Sequence, residues 1–599
     1  MFHPKRPKAC VPSTASLSGT RSMTLTPEKP IAGLLAPLFA LRSDGDLGIG
    51  DVGALREFID WAVEHGFRLV QLLPVNETGN DHSPYNAISS VALDPLTIEI
   101  SPRAIPDLTE EDMKEVVHEV DLKALRDGPV AYSIVKPLKR KLLDRAFEHF
   151  RHLPGGGRRA RDFRVFCKEE STWLDDYALF RVLIDEQGGI ERWDLWPEEV
   201  RSAAKAREWL AGQAHSRRGR LEQALRAAKY RQWIAWIQWR AVKDYADERG
   251  VSLMGDIPFG VSYCSADTWA HPELFKLDWS GGCPPERILE VDAFTKKWGQ
   301  NWGVPLYDWG THRADGYAWW RQRVRKVRDV FHLFRIDHVL GVFRIYSFPW
   351  RPERNEEFLP LTEAEATQRT GGELPHFTPH EDDTPEHKAA NLAQGEELLK
   401  ALLAECGAFR LVGEDLGIVP DYVRPCMQEL GIAGFKIPQW EEVHPGGSLI
   451  DGKHYERLSM ATYATHDHDP LRAMWESWMS AIQAAETGDE AAFPARDKAW
   501  RECRAVAAWC GFDVPRITPW SDEIHEHLLT PLLRCNSWLV VLMITDLFAT
   551  TQRFNIPGAV SAANWSERLR GTTAQWRRDK KIVKKAARIG TLIRESNRA

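Results

Sequence analysis

Short apolar runs bounded by Gly, Pro or Asp recur along the chain. They are Gly33–Leu41, Arg68–Val75, Val251–Phe259, His332–Val339, Arg410–Asp415, Gly434–Trp440, Met460–His466 and Trp538–Leu547. Each has the compactness and composition of a buried strand. Between them the period of the apolar positions changes. Val52–Glu64 follows a turn containing Gly and Asp, and Tyr317–Val330 is amphipathic with many arginines, so both predict helices. Strands alternating with helices imply a parallel sheet. Eight such strands predict a closed (β/α)8 TIM barrel of the α/β class.

The intervals between the runs are unequal. About 175 residues lie between the second and third, far more than one crossover helix needs. Within them, Glu110–Phe150 and Glu191–Ala246 read as helical. Pro352–Gly395 is polar, and Leu471–Trp509 is again helical. The expected organisation is one catalytic barrel over residues 31–599. Large, mainly helical insertions fall at about 103–246, 280–310, 351–400 and 471–530. Residues 1–30 are rich in Pro, Ser, Thr, Lys and Arg, which predicts a disordered extension, with Met23 as a candidate start.

Composition changes this picture little. With 43% hydrophobic and 27% charged residues and a formal net charge of -7, the chain reads as an ordinary globular protein with nothing to recommend a nucleic-acid partner. The basic stretch Arg577–Arg588 reads as a solvated helix face. Nine scattered cysteines without paired spacing suggest reduced thiols and a cytoplasmic setting. No apolar run reaches the length of a membrane span, and no apolar core before Met23 suggests a signal peptide. The chain has 25 tryptophans, whose flat faces suit sugar rings where exposed. Trp233, Trp236 and Trp239, three residues apart, read instead as one buried helix face.

Catalytic groups in such barrels project from the C-terminal ends of the strands, and acids gather there. The third run ends in Gly255-Asp256-Ile257-Pro258 and the fourth carries Arg335-Ile336-Asp337-His338. The fifth ends in Gly413-Glu414-Asp415 and the seventh in Thr465-His466-Asp467. Any one of these acids is most simply a helix cap or turn residue. That reading suits Asp415 and Asp469, but four coincidences weaken it for the others. Several acids around one mouth suit glycosyl chemistry. One carboxylate attacks the anomeric carbon while a carboxylic acid protonates the departing oxygen, the pair lying roughly 5 Å apart for retention. Arg335 and Asp337 are two residues apart, so on a strand they share a face, where the arginine keeps the carboxylate ionised.

Taken with further motifs, these residues resemble the 4-α-glucanotransferases called amylomaltases or disproportionating enzymes, glycoside hydrolase family 77. The resemblance runs from about Ala32 to Asn564. It includes Leu47-Gly48-Ile49-Gly50-Asp51, Ser83-Pro84-Tyr85-Asn86, Trp269-Ala270-His271-Pro272-Glu273, Gly299-Gln300-Asn301-Trp302-Gly303 and Asn555-Ile556-Pro557-Gly558, in order with the acid motifs. It implies that Asp337 forms a covalent glucosyl-enzyme intermediate. Glu414 is then the acid/base, and Asp467 holds hydroxyls of the distorted donor sugar. Arg335 would support Asp337, and Asp256, His338 and His466 would hydrogen-bond the same ring, with Tyr85 stacked beneath it. Gln300 and Trp302 would lie on a covering loop, and Asn555 would come from the last strand's loop. The implied partners are α-1,4-glucans, maltooligosaccharides and glucose. No metal or organic cofactor is implied, and the oligomeric state stays open.

The pattern departs from the family at three places. Pro284-Pro285-Glu286 is followed by Arg287-Ile288 where an aromatic pair is usual. Val339-Leu340-Gly341 replaces the common arginine, and the following Val342-Phe343-Arg344-Ile345-Tyr346 looks closer to the plant cytosolic branch. His468-Asp469-Pro470 replaces Asn-Asp-Thr. These departures bear on acceptor choice and direct attention to the 280–310 segment. The competing functions are an α-1,4-glucan hydrolase of the same fold and a non-catalytic glucan-binding protein, the latter disfavoured by retention of all three acids. A zinc site at His466-Asp467-His468-Asp469 lacks partner ligands elsewhere, and Gly45–Gly53 lacks the Lys-Ser/Thr pair of a phosphate loop.

Overall fold

The computed structural model describes residues 25–599 except 286–291, 445, 486–489, 558–560 and 562. Among the described residues twelve strands form. They are β1 (Ile31–Leu35), β2 (Leu69–Gln71), β3 (Ser252–Ile257), β4 (Phe275–Cys283), β5 (Gln300–Tyr307), β6 (Leu333–Ile336), β7 (Ile345–Phe348), β8 (His376–Thr378), β9 (Leu411–Gly413), β10 (Gly434–Lys436), β11 (Ser459–Ala461) and β12 (Leu539–Met543).

Eight of them pair in the order β10-β11-β12-β1-β2-β3-β6-β9, all parallel. A parallel bridge from Val412 to Ala433 joins β9 back to β10 and closes the ring. This is the (β/α)8 barrel that the eight runs predict.

The runs extend past the strands because the chain stays buried and apolar above them. Gly33–Leu41, for example, divides into β1 and a 3-10 turn at Leu38–Ala40. Side chains alternate between the two faces of each strand. Ile31 and Leu35 of β1 meet Leu539, Val541 and Met543 of β12 inside the barrel. Ala32, Leu34, Val540 and Leu542 pack outward against the helices. The same parity sends Met254 and Leu333 inward, so Asp256, Arg335 and Asp337 follow them toward the axis at the top.

The Leu47–Asp51 motif serves this framework. Asp51 caps helix Val52–Glu64 by accepting from the amides of Gly53 and Ala54. Gly50 runs so close to the preceding turn that a Cβ would lie 1.9 Å from the Leu38 carbonyl oxygen. Between β2 and β3 the chain forms a helical layer that includes Tyr132–Arg151, Ser171–Glu186 and the long His215–Glu248. Trp233, Trp236 and Trp239 are buried in it, Trp239 donating its indole N–H to Thr97.

Two expectations need correction. The segment expected to be disordered through residue 30 is anchored from Leu25 onward: Leu25 enters the barrel core, and Arg457 donates to the carbonyls of Pro27 and Glu28. Residues 1–24, including Met23, lie outside the described residues. The second correction concerns the covering segment. Gln300 and Trp302 lie on β5 of an antiparallel sheet, β5-β4-β7-β8, rather than on a loop. Gly299 makes the entry to β5 possible. Its φ is +102°, and a Cβ there would sit 2.1 Å from the Cys283 carbonyl oxygen.

Candidate active site

At the C-terminal end of the barrel the inward-facing acids surround one guanidinium. Asp256 of β3 and Arg335 of β6 are register partners. Arg335 Nη1 donates to both carboxylate oxygens of Asp256, at 2.9 and 2.8 Å, and Nη2 lies 2.7 Å from Asp337 Oδ1. The sharing of a face expected from the two-residue spacing of Arg335 and Asp337 therefore appears as a direct ion pair. Burial opposes the charge on Arg335, but Asp256 and Asp337 overcome it and raise its pKa well above the usual arginine value.

Glu414 stands at the end of the neighbouring strand. Its amide donates to Ile336 O at 2.9 Å, so the barrel ladder continues into the site. The chain turns sharply after Asp337. His338 adopts a left-handed conformation with φ 47°, uncommon for a side chain of this size. This turn aims the His338 amide at Glu414 Oε2, 2.8 Å away. Burial pushes the Glu414 carboxyl up to about 8; Arg335 pulls it down and Asp337 pushes it further up. A carboxylic acid that stays protonated at neutral pH thus lies beside the contact between Arg335 and Asp337. His338 itself is lowered to about 4 by burial and is neutral at that pH.

Asp467 completes the ring of acids. Asn555 Nδ2 donates to its Oδ1 at 2.6 Å, and His466 Nε2 lies 3.2 Å from Oδ2. Burial pushes its pKa upward, but His466, Asn555 and Arg335 together hold it below the ordinary aspartate range. Tyr85 joins the two sides. Its hydroxyl donates to Asp256 Oδ2 at 2.7 Å, and its ring stacks on His466 with centroids 5.0 Å apart.

A sequence profile of glycoside hydrolase family 77, described as 4-alpha-glucanotransferase, matches residues 36–573. The chain belongs to that family. A 4-alpha-glucanotransferase of Chlamydia pneumoniae is 30% identical over 547 residues, covering 90% of this chain and 91% of its own length. The 4-alpha-glucanotransferase DPE2 of Oryza sativa is 34% identical over 337 residues, 53% of this chain and 32% of that protein. Among solved structures, the amylomaltase of Streptococcus agalactiae in complex with acarbose superposes with a TM-score of 0.72. It is 22% identical and covers 95% of this chain and all of that one.

In this family 77 4-α-glucanotransferase, every residue read from the sequence as a site candidate reaches one connected cluster. Trp302 sets its indole edge against the His338 ring at 4.9 Å and donates to Gln300 Oε1 at 3.3 Å, so the covering sheet reaches the acid pair through His338. Asp256 is more committed than a sugar ligand needs to be. It is buried, and its oxygens serve Arg335 and Tyr85. Asp415 and Asp469 do have structural partners: Asp415 accepts from the Phe435 amide and Arg424, and Asp469 pairs with Arg553. His468 Nδ1 meets Thr465 Oγ1 at 2.8 Å, and no group of three or more His, Cys, Asp or Glu among the described residues is placed to hold a metal. The altered stretch Glu286–Ile288 lies outside the described residues.

Two aromatic residues at the site escaped the sequence reading. Trp565 closes the floor, its ring 6.0 Å from Tyr85 and 5.9 Å from His466. Trp440, half exposed, meets His468 edge-on at 4.9 Å. Position after β10 and after β12 was the available signal for both, but tryptophan is too frequent in this chain for that signal to stand out.

Proposed function

We propose that this mouth breaks and re-forms α-1,4-glucosidic bonds by double displacement, with Asp337 as nucleophile and Glu414 as acid/base. Asp337 attacks the anomeric carbon of the donor glucan while Glu414 gives its proton to the departing 4-oxygen. The ionised Glu414 then takes a proton from the 4-hydroxyl of the acceptor, which displaces Asp337 and restores the original anomeric configuration. Asp467 accepts hydrogen bonds from hydroxyls of the distorted ring, strengthening in the transition state. Tyr85 supplies an apolar face beneath the ring, and Asp256 aligns Arg335 and Tyr85 while His338, His466, Gln300 and Asn555 offer polar contacts.

The observation that carries these roles is the contrast between Glu414, raised to about 8, and Asp337, paired with Arg335 at 2.7 Å. A carboxyl kept protonated by burial suits the acid, and a carboxylate placed against a guanidinium suits the nucleophile. Donors and acceptors of this chemistry are maltooligosaccharides, longer α-1,4-glucans and glucose, consistent with the acarbose-bound relative. The reduced thiols of the described cysteines fit a cytoplasmic setting, and no described helix is long and apolar enough to cross a membrane. Trp302 and its sheet favour a sugar acceptor over water by positioning and by covering the intermediate. Product profiles from maltotriose test this. Transfer yields glucose together with chains longer than the substrate, and exclusively shorter products would refute it.

A further inference from the structure

Arg553 lies two residues before Asn555 on the segment that follows β12. Its guanidinium contacts three groups at once. Nη2 donates to the backbone carbonyl of Asp467 at 2.7 Å, Nη1 to Asp469 Oδ1 at 3.0 Å, and Nε to the backbone carbonyl of Asn555 at 3.2 Å. Asn555 in turn donates to the Asp467 carboxylate at 2.6 Å. One side chain therefore ties the loop that leaves β11 to the segment beyond the short helix Ile544–Phe548, which follows the adjacent strand β12. It grips the Asp467 loop at the backbone of the acid and two residues beyond it.

That loop needs such a tie. Residues 462–470 have no regular secondary structure between β11 and helix Leu471–Ala484, so no ladder of backbone hydrogen bonds fixes where Asp467 points. We propose that Arg553 is a positioning residue for Asp467, holding its carboxylate and the Asn555 amide in the mutual orientation that the transition state uses. The inference rests on the reading of Asp467 given above. The contacts are a directed fork, two of them to neutral carbonyls, so the geometry of the guanidinium matters beyond its charge. A lysine would keep the charge and lose the fork.

Steady-state kinetics on maltotriose with Arg553→Met, Arg553→Lys, Asp467→Asn and the Asp467→Asn/Arg553→Met double variant test this, with the melting midpoint of each protein measured in parallel. A maltosyl fluoride donor keeps the slow variants measurable, because its leaving group needs little protonation. Both Arg553 variants should lose kcat, on the order of 10²-fold for a misplaced group, with KM little changed. In the Asp467→Asn background, Arg553→Met should cost almost nothing further, since residues acting as one unit are not additive. Full kcat in Arg553→Lys would overturn the proposal, as would losses that multiply in the double variant. A fall in melting midpoint with unchanged kcat per folded molecule would show a merely structural role and overturn it too. Unchanged turnover by Asp467→Asn alone would instead refute the reading of Asp467, a separately recognisable failure.

Discussion

Arg335 and Arg598 are both buried, at opposite mouths of the same barrel, and they are satisfied in different ways. At the C-terminal mouth Arg335 is held by the carboxylates of Asp256 and Asp337. At the N-terminal mouth Arg598 donates to the carbonyl oxygens of Leu533, Cys535, Ser537 and Trp538, just ahead of β12, and its own carbonyl accepts from the Ala32 amide. Burial lowers the pKa of Arg598 to about 10, whereas that of Arg335 is raised because its two acids outweigh burial. Carbonyls complete a hydrogen-bond count; carboxylates also balance charge and leave a strong local field. The first arrangement seals a barrel. The second organises acids for chemistry.

The comparison can be broken most severely at Arg335. Arg335→Met should reduce glucan transfer to background and destabilise the fold by about 3 kcal/mol, because the buried Asp256 and the half-buried Asp337 lose their partner. Kinetics and urea unfolding read the two effects, and an active, stable Arg335→Met would end the distinction.

Next in size is Glu414→Gln, with a kcat loss of about 10²–10⁴-fold for a removed general acid. Its stability should move the other way. Glu414 has an ordinary value of 4.5 and a folded value of about 8. Between those values the unfolded chain ionises while the folded one stays protonated, so native Glu414 costs increasingly more stability as pH rises through that window and no more above it. The melting midpoint of Glu414→Gln should therefore exceed that of the parent more at pH 8 than at pH 5. A constant difference across that range would contradict the assignment of a raised pKa.

Arg598→Ala should show the converse separation. Losing bonds from a charged donor costs about 1.5–3 kcal/mol where carbonyls are left unsatisfied, with kcat per folded molecule unchanged. An Arg598 variant that melts normally but transfers slowly would erase the contrast between the two mouths. The smallest expected change is in Trp302→Ala, on the covering sheet. Total turnover should fall modestly while the hydrolysed share of products from maltotriose rises, as chromatography of the products would show.

What could be read from the sequence divides along similar lines. The barrel strands are local apolar runs whose parity is set by a period of two, and that parity already put Arg335 and Asp337 on one face. The ordered motifs then separated Asp337, Glu414 and Asp467 from acids such as Asp415, which binds the Phe435 amide. The covering sheet was not legible, because it depends on pairings distant in sequence. Ser280 faces Phe348, and Ile345 faces Thr378, in strands too mixed in polarity to stand out. Arg553 and Arg598 were invisible for another reason: they bind mostly backbone carbonyls, which every residue carries. Leu25 looked like part of a polar tail until its burial in the barrel core supplied the missing context.

The central claim is that Asp337 carries the glucosyl group between donor and acceptor. The most direct test is to react the protein with a fluorinated α-glucosyl fluoride that forms the intermediate faster than it is released, then locate the added mass by peptide sequencing in a mass spectrometer. The account predicts one glucosyl adduct, on the peptide containing Asp337, released when maltose is added as acceptor. An adduct on Asp467 or Glu414, or turnover to product of inverted anomeric configuration with no adduct, would contradict it.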